Sequence, residues 1–351
     1  MVHKGSIIFL YSELAGYFLS CLRALRNEFN GEIYVVHWPV NSEAPFEFDF
    51  PEGVHFMEKN KIENLQDYVT QCNPTTIVSA GWMDAEYLSV CGVFKKKCKT
   101  ILAMDNHWTG SFKQRLACML SPFYLKPKFS HIWVPGLPQK VFADKLGFKN
   151  VLLDYYCGDV DLYQRYYKQF SALKKQNFPK RFLYVGRYVK HKGIFEMWEA
   201  FIQAIGHRKD WELWCIGTGD QFDNRVIHDQ IKHFGFVQPS EMNTYIKETA
   251  IFVLPSKFEP WGVVVQEYAA AGFPMIVSKE VGAAEKYALP NSNAVLTSAG
   301  NIEDMIKAFA TFMSLEQEVY DEMVVESNRK GCSYTPEHWA NKILDVDACV
   351  V

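Results

Sequence analysis

Two stretches of this 351-residue chain gather the side chains that anion chemistry needs. In Phe182-Leu-Tyr-Val-Gly-Arg-Tyr-Val-Lys-His-Lys-Gly193, an apolar run ends at Gly186, and Arg187, Lys190 and Lys192 crowd the turn that follows. A strand, a basic turn and a helix start suit a phosphate, because the helix N-terminus adds backbone N–H donors to the cations. An ordinary solvated basic loop has the same composition. In Ala250-Ile-Phe-Val-Leu-Pro-Ser-Lys-Phe-Glu-Pro-Trp-Gly-Val-Val-Val-Gln-Glu-Tyr-Ala-Ala-Ala-Gly-Phe-Pro274, a buried strand ends at Pro255 and a helix begins near Gly262. Gly272 and Pro274 are its stop signals. Gly262 leaves room for a ligand at the first helical amides. Glu259 stands just before that N-terminus. Glu267 lies inside an otherwise apolar helix, where a bare carboxylate costs several kcal/mol. A ribose diol, with two hydroxyl donors, would satisfy it. The plain alternative is a capping glutamate plus a structural ion pair.

The elements that must hold these residues read as strands alternating with helices. Strands are expected at Ser6–Tyr11, Ile33–His37, Thr76–Ser79, Thr100–Met104, His131–Val134 and Val151–Leu153. The alternation breaks at 171–180, a polar stretch carrying a proline. It restarts with Arg181–Val185, Glu212–Ile216, Gly235–Val237, Ile251–Leu254 and Met275–Val277. Short unbroken apolar strands between helices argue α/β units, each a parallel sheet covered on both faces. The expected organisation is a first domain over 1–170, a linker at 171–180 and a second domain over 181–334. Ligands of open α/β sheets bind beyond the carboxyl ends of the strands, so a site is expected in the cleft between the two domains.

Composition narrows the class. Hydrophobic residues at 48% and charged residues at 22% describe a folded globular chain rather than a disordered one. A net charge of −3 argues against a nucleic-acid partner. The cysteines are nine, an odd count without C-x-x-C spacing, which fits reduced thiols in a cytoplasmic setting. The apolar run at the N-terminus is too short for a signal peptide, and no run is long enough to span a membrane. Aromatics reach 15%. One group of them, between 108 and 133, is interleaved with Lys113, Arg115, Lys126 and Lys128. Segment 111–129 therefore reads equally as a core helix or as an interfacial helix on anionic lipid.

Together the two motif stretches resemble glycosyltransferase family 4, the retaining transferases of the GT-B fold (glycosyl transferases group 1). The Glu-x7-Glu pattern is met by Glu259 and Glu267. The Gly-Arg…Lys-Gly loop is met by Gly186, Arg187, Lys192 and Gly193. Trp211-Glu-Leu-Trp-Cys-Ile-Gly-Thr-Gly-Asp220 and Phe234-Gly-Phe-Val-Gln-Pro-Ser-Glu241 stand between them in the family's order. The resemblance covers 181–330 well and the first half more weakly. It implies two Rossmann-like doubly wound domains facing a central cleft. The first would be acceptor-side, with a final helix over 335–351 packed back on it through Trp339 and Leu344; the second would bind the donor.

The roles implied by the resemblance are specific. Arg187 and Lys192 would bind the donor diphosphate, and Glu259 would face the donor sugar. Glu267 would accept from the nucleotide ribose, and backbone near Val237 would hold the base. The amides of Gly262, Val263 and Val264 would cap sugar and phosphate. In the first half, Gly16 supplies one glycine where many members carry a pair. His107, with Asp105 as rival, stands where the family places a histidine near the reacting carbon. Ala283 and Ala284 stand where small residues precede a glutamate, here Glu285. Asp159-Val-Asp161 and Asp345-Val-Asp347 both spell D-x-D, but the first resembles the family's closing turn of the first domain, so no metal and no cofactor is expected.

The implied reaction moves a sugar from a nucleotide-diphosphate donor, UDP favoured and GDP allowed, to a hydroxyl of a glycan or lipid-linked acceptor. The implied setting is bacterial surface polysaccharide or lipopolysaccharide synthesis, at the cytoplasmic face of a membrane. A sugar-nucleotide epimerase of the same fold and a non-catalytic relic acting as a binding module are the alternatives. A nicotinamide-dependent oxidoreductase would need G-x-G-x-x-G after an early strand, which Phe9-Leu-Tyr-Ser-Glu-Leu-Ala-Gly16 lacks.

Overall fold

The computed structural model describes residues 5–40 and 45–348. Cys349 and the end of the 335–351 segment lie outside them. The chain divides into two compact units, one formed by 1–157 with 335–351 and the other by 158–334.

The first unit runs β1 (Ser6–Leu10), α1 (Gly16–Glu28), β2 (Glu32–His37), β3 (Val54–Glu58), α2 (Leu65–Cys72), β4 (Pro74–Ala80), α3 (Ala85–Phe94), β5 (Lys99–Ala103), α4 (Phe112–Tyr124), β6 (His131–Trp133), α5 (Leu137–Lys145) and β7 (Val151–Leu152). Its strands form one sheet in the order β3-β2-β1-β4-β5-β6-β7, all parallel. The central strand β1 is buried along its whole length, as its unbroken apolar run requires.

The second unit runs α6 (Val160–Lys174), β8 (Arg181–Val185), α7 (Ile194–Ile205), β9 (Glu212–Ile216), β10 (Ile231–His233), α8 (Asn243–Glu248), β11 (Ile251–Leu254), α9 (Val263–Ala270), β12 (Met275–Ser278), α10 (Ala284–Tyr287), β13 (Ala294–Thr297), α11 (Ile302–Met313) and α12 (Gln317–Gly331). Its parallel sheet has the order β10-β9-β8-β11-β12-β13. Each sheet starts in the middle and reverses direction once, so both units are Rossmann-like and doubly wound.

Three expectations are corrected. The segment 171–180 is not a linker: its first residues finish α6, its last leads into β8, and the unit boundary falls at 157/158. Lys174, at the end of α6, is buried over the Phe273 ring at 3.9 Å. The strand expected at Gly235–Val237 is β10, four residues earlier, and Val237 sits in the loop after it. The aromatics at 108–133 do not share one environment. Phe129 and Trp133 are core residues, whereas Phe112 and Phe123 are exposed.

The last helix, α13 (Pro336–Ala348), belongs to the first unit and packs along α1. Trp339 is its anchor. The indole stacks on Phe9 and Trp133 at 5.8 and 5.2 Å, meets Phe18 edge-on, and donates Nε1–H to the Tyr155 carbonyl at 2.8 Å. Thr76 Oγ1 donates to Asp347 at 2.7 Å in the same buried layer, which gives the second D-x-D a structural partner. Trp339→Ala should therefore lower the unfolding free energy of the first unit by ~3–5 kcal/mol, measured by denaturant unfolding.

Candidate functional site

The order of the second sheet reverses between β8 and β11, which are hydrogen-bonded neighbours. The chain leaves β8 towards one face and β11 towards the other, and this separation opens a crevice at their carboxyl ends. Both motif stretches are the loops at that point. The loop after β8 runs from Gly186 to Gly193 and carries Arg187, Lys190, His191 and Lys192. The loop after β11 runs from Pro255 to Gly262 and carries Ser256, Glu259 and Trp261.

Backbone ties fix the first loop. Gly186 N–H donates to Ile216 O at 3.0 Å and Tyr188 N–H to Thr218 O at 2.8 Å, so the loop runs beside the one that follows β9. Gly217 makes this approach possible. Its φ is +133°, and a Cβ there would lie 2.0 Å from the Gly186 carbonyl oxygen. The buried Tyr184 hydroxyl donates to Arg187 O at 2.8 Å and holds the turn from below. The Arg187 side chain is left exposed at the crevice.

A side-chain ion pair joins the two loops. Lys192 Nζ pairs with Glu259 Oε2, and the two side chains are only 15% and 14% exposed. Ser256 Oγ donates to the same carboxylate oxygen at 3.2 Å. Lys257 N–H to His191 O at 2.7 Å adds a backbone link. His191 sits beside this pair. Its pKa is held below the usual histidine value, first by desolvation and then by the charges of Lys192 and Arg187, while Glu259 and Asp220 oppose them. The imidazole is thus neutral at pH 7 and leaves the local charge to its neighbours.

The helix α9 begins at the far side of the crevice. Gly262 is its N-cap, at φ +87°, a left-handed conformation that glycine adopts without strain. A Cβ there would lie 3.0 Å from Glu259 Cγ and 3.1 Å from Val281 Cγ1. The first-turn amides, Val263 and Val264 among them, have no intrahelical acceptor by the geometry of any α-helix. The segment 281–284 supports this loop from behind. Gly282 N–H donates to Glu259 O at 3.1 Å, and Ala283 N–H donates to Trp261 O at 2.8 Å.

Glu267 is one turn further along α9 and half-buried. Its Oε1 accepts from Asp159 N–H at 3.3 Å. Burial pushes its pKa up to about 7, the Asp159 N–H works against that shift, and the Asp159 charge adds to it. Asp159 also caps α6, accepting from Leu162 N–H at 3.3 Å, and Asp161 lies in that helix's first turn. The first D-x-D is therefore a helix start. Gly158 gives Glu267 its space, since a Cβ there would lie 2.8 Å from Glu267 Cγ. Gln266 fixes the helix by accepting from Gly158 N–H and donating to the carbonyls of Gly331 and Tyr334.

The structure thus brings Arg187, Lys192, Glu259 and Gly262 to one switch point, with Glu267 one turn along the same helix. Val237 lies beyond the end of β10, in a loop reached from the β9 side through Gly217 N–H to Gly235 O at 2.6 Å. In the first unit, Gly16 is the first residue of α1 beyond the carboxyl end of β1, and a Cβ there would meet nothing within 4 Å. Asp105 and His107 follow β5. Asp105 accepts from Tyr156 OH at 3.2 Å, and the His107 carbonyl accepts from Gln114 Nε2 at 2.7 Å. Ser256, Tyr184 and His191 escaped the motif reading. His191 was visible between two lysines, whereas nothing in sequence marks Ser256 or Tyr184 as partners of Glu259 and Arg187.

Two doubly wound parallel units in one chain make the GT-B fold. Its solved neighbours are glycosyltransferases. Sucrose-phosphate synthase from Thermosynechococcus elongatus superposes with a TM-score of 0.73 at 15% identity, covering 98% of each chain. Anabaena HepE, solved in complex with UDP and glucose, superposes with a TM-score of 0.73 at 13% identity, covering 99% of this chain and 100% of that one. Residues 167–330, most of the second unit, match the family "Glycosyl transferases group 1". The glycogen synthase of Mycobacterium tuberculosis is 30% identical over 124 residues, which is 33% of this chain and 30% of that protein. The chain thus matches that curated relative over less than a third of the relative's length.

The Glu267 carboxyl supplies a test of its setting. Its folded pKa, about 7, lies above the ordinary 4.5. Ionisation therefore costs more in the folded chain, and stability falls as pH rises between those values. Relative to Glu267→Gln, the wild type should lose on the order of 1–2 kcal/mol across that window, allowing for partial exposure, and nothing further above it. Urea unfolding of both proteins across the window measures this.

Proposed function

We propose that this chain is a metal-independent, retaining glycosyltransferase of family 4, of the hexosyltransferase type. It moves a sugar from a nucleotide-diphosphate donor to a hydroxyl of a glycan or lipid-linked acceptor, with UDP preferred to GDP as carrier. The setting is the synthesis of bacterial surface polysaccharide or lipopolysaccharide. The observation that carries this reading is the Lys192–Glu259 pair across the sheet's reversal point, with a glycine-capped helix N-terminus beside it. The group 1 match of the second unit supports the same reaction class. The UDP in the HepE structure and the naming of a Rhizobium meliloti relative as a lipopolysaccharide core glycosyltransferase favour the carrier and the setting.

In the free protein Lys192 is neutralised by Glu259. A bound diphosphate competes for that cation, and the released carboxylate accepts hydrogen bonds from hydroxyls of the donor sugar. As the glycosidic C–O bond breaks, the anomeric carbon becomes oxocarbenium-like and negative charge grows on the leaving diphosphate. Arg187, Lys192 and the amides of Gly262, Val263 and Val264 stabilise that charge in place of a metal. The acceptor oxygen bonds to the carbon on the same face, and its proton ends on the departing phosphate. Glu267, ionised, accepts from the ribose hydroxyls, and the loop at Val237 holds the base.

Arg187→Ala and Lys192→Ala should each lower turnover by at least about a hundredfold, with melting temperatures checked to exclude unfolding. Near-wild-type rates in both would remove the diphosphate assignment. UDP should raise the melting temperature more than GDP does, and the shift should persist in EDTA.

A further inference from the structure

The helix α4 is built inside out. At ~100° per residue, Phe112, Leu116, Met119, Leu120 and Phe123 fall on one arc of about 100°. That arc faces outward: the five residues are 80%, 40%, 65%, 47% and 83% exposed. The opposite side carries Gln114, Ala117, Cys118 and Ser121, which are small or polar, and Ser121 is the only fully buried residue of the helix. Ala117 and Cys118 pack on the core of the unit, and Ser121 Oγ donates to Leu146 O at 2.8 Å. The small face thus seats α4, and the large apolar face stays largely exposed. Single exposed hydrophobics are ordinary, but a contiguous apolar face marks an interaction surface.

The charge around this face says what covers it. On the helix, Lys113 and Arg115 border the apolar arc on its two sides. Lys126 and Lys128 follow its C-terminal end, where the Lys95 ammonium also reaches, bonding the Lys126 carbonyl. Lys128 lies over the Tyr124 ring at 4.4 Å. Between Asp105 and Asp144 the sequence contains no Asp or Glu and five Lys or Arg. A second copy of the chain would bring the same cations against one another. An anionic bilayer complements both features, taking the apolar side chains among its acyl chains and the cations at its headgroups. Thirteen residues cannot span a bilayer, and no helix among the described residues is long and apolar enough to do so.

We propose that α4 is an interfacial helix that docks the first unit on an anionic membrane surface, lying in the headgroup plane with Phe112, Met119 and Phe123 inserted. Gln114 links that docking to the loop after β5. Its Oε1 accepts from Thr109 N–H at 2.7 Å and Gly110 N–H at 3.1 Å, while its Nε2 donates to His107 O at 2.7 Å. The loop bearing Asp105 and His107 is therefore held at the lipid surface. The inference goes beyond the transferase reading and stands without it, because it uses no residue of the donor site.

The test is co-sedimentation of the full chain with vesicles of phosphatidylcholine, with and without phosphatidylglycerol. The wild type should pellet with the anionic vesicles, less so as salt is raised, and stay in solution with the neutral ones. Phe112→Ser/Phe123→Ser should weaken anionic binding at least about tenfold, with the melting temperature and the UDP-induced shift unchanged. No binding by the wild type, or equal binding by the variant, overturns the proposal. So does a dimer in sedimentation velocity that the variant abolishes, which would assign the face to a second copy. A wild type that pellets but shows no nucleotide shift would instead count against the transferase reading alone.

Discussion

The ion pair between Lys192 and Glu259 is the contact on which the second unit's site depends. Two largely buried opposite charges are a poor source of stability, because desolvation offsets most of their attraction. Their use is positional. Lys192 belongs to the loop after β8 and Glu259 to the loop after β11, and the sheet sends these loops to opposite faces. The pair closes the gap that topology opens. Backbone bonds from Lys257 to His191, and from the 281–284 segment to Glu259 and Trp261, then hold each partner from outside. A site made this way presents a cation that is already largely buried and already neutralised; on the proposed reading an incoming diphosphate would replace Glu259 as its partner, and the released carboxylate would take the hydroxyls of the donor sugar.

The same loops explain how a chain of net charge −3 could accommodate the proposed diphosphate. What matters is the local distribution of charge. Arg187, Lys192 and the helix start at Gly262 lie on the two loops of one switch point, and the neutral form of His191 is favoured beside them. Glu267 is handled oppositely. It sits where burial raises its pKa to about 7, poised between charged and neutral forms at physiological pH. Ligand hydroxyls that donate to it would favour the charged form. The helix α9 thus offers amides at its start and a carboxylate one turn later, a pattern that would suit a ligand anionic at one end and hydroxyl-bearing at the other.

The sequence made the central strands and the two motif loops legible. Arg181–Val185, Glu212–Ile216 and Ile251–Leu254 appear with the bounds their apolar runs suggest, because strands buried on both faces need an unbroken apolar sequence. Edge and near-edge strands follow a weaker rule. β3 at Val54–Glu58 has one neighbour and no fully buried residue, and its sequence does not alternate cleanly. The apolar run Phe234-Gly-Phe-Val is loop, and the strand is the more polar Ile231–His233, placed by its pairing with β9. Segment 171–180 looks like a linker because α6 ends there with its polar face outward. The buried Lys174, reaching Phe273 from far along the chain, is a tertiary fact that no local window contains.

Periodicity also leaves open the question that α4 answers. The spacing Phe112, Leu116, Met119, Leu120, Phe123 defines an apolar face but not which way it points, since a core helix and an interfacial helix share that period. The direction is set by the other side. A helix whose Gln114, Ala117, Cys118 and Ser121 can approach the protein closely is seated through those residues, and Gln114 spends its amide on the 107–110 loop where a core helix would use a leucine. The apolar face is then left over by construction. Folding the unit alone leaves Phe112 and Phe123 almost uncovered and the other three only partly covered, so part of the free energy of burying them remains for association. The cations at both borders and the absence of acid between Asp105 and Asp144 would suit an anionic partner for that association.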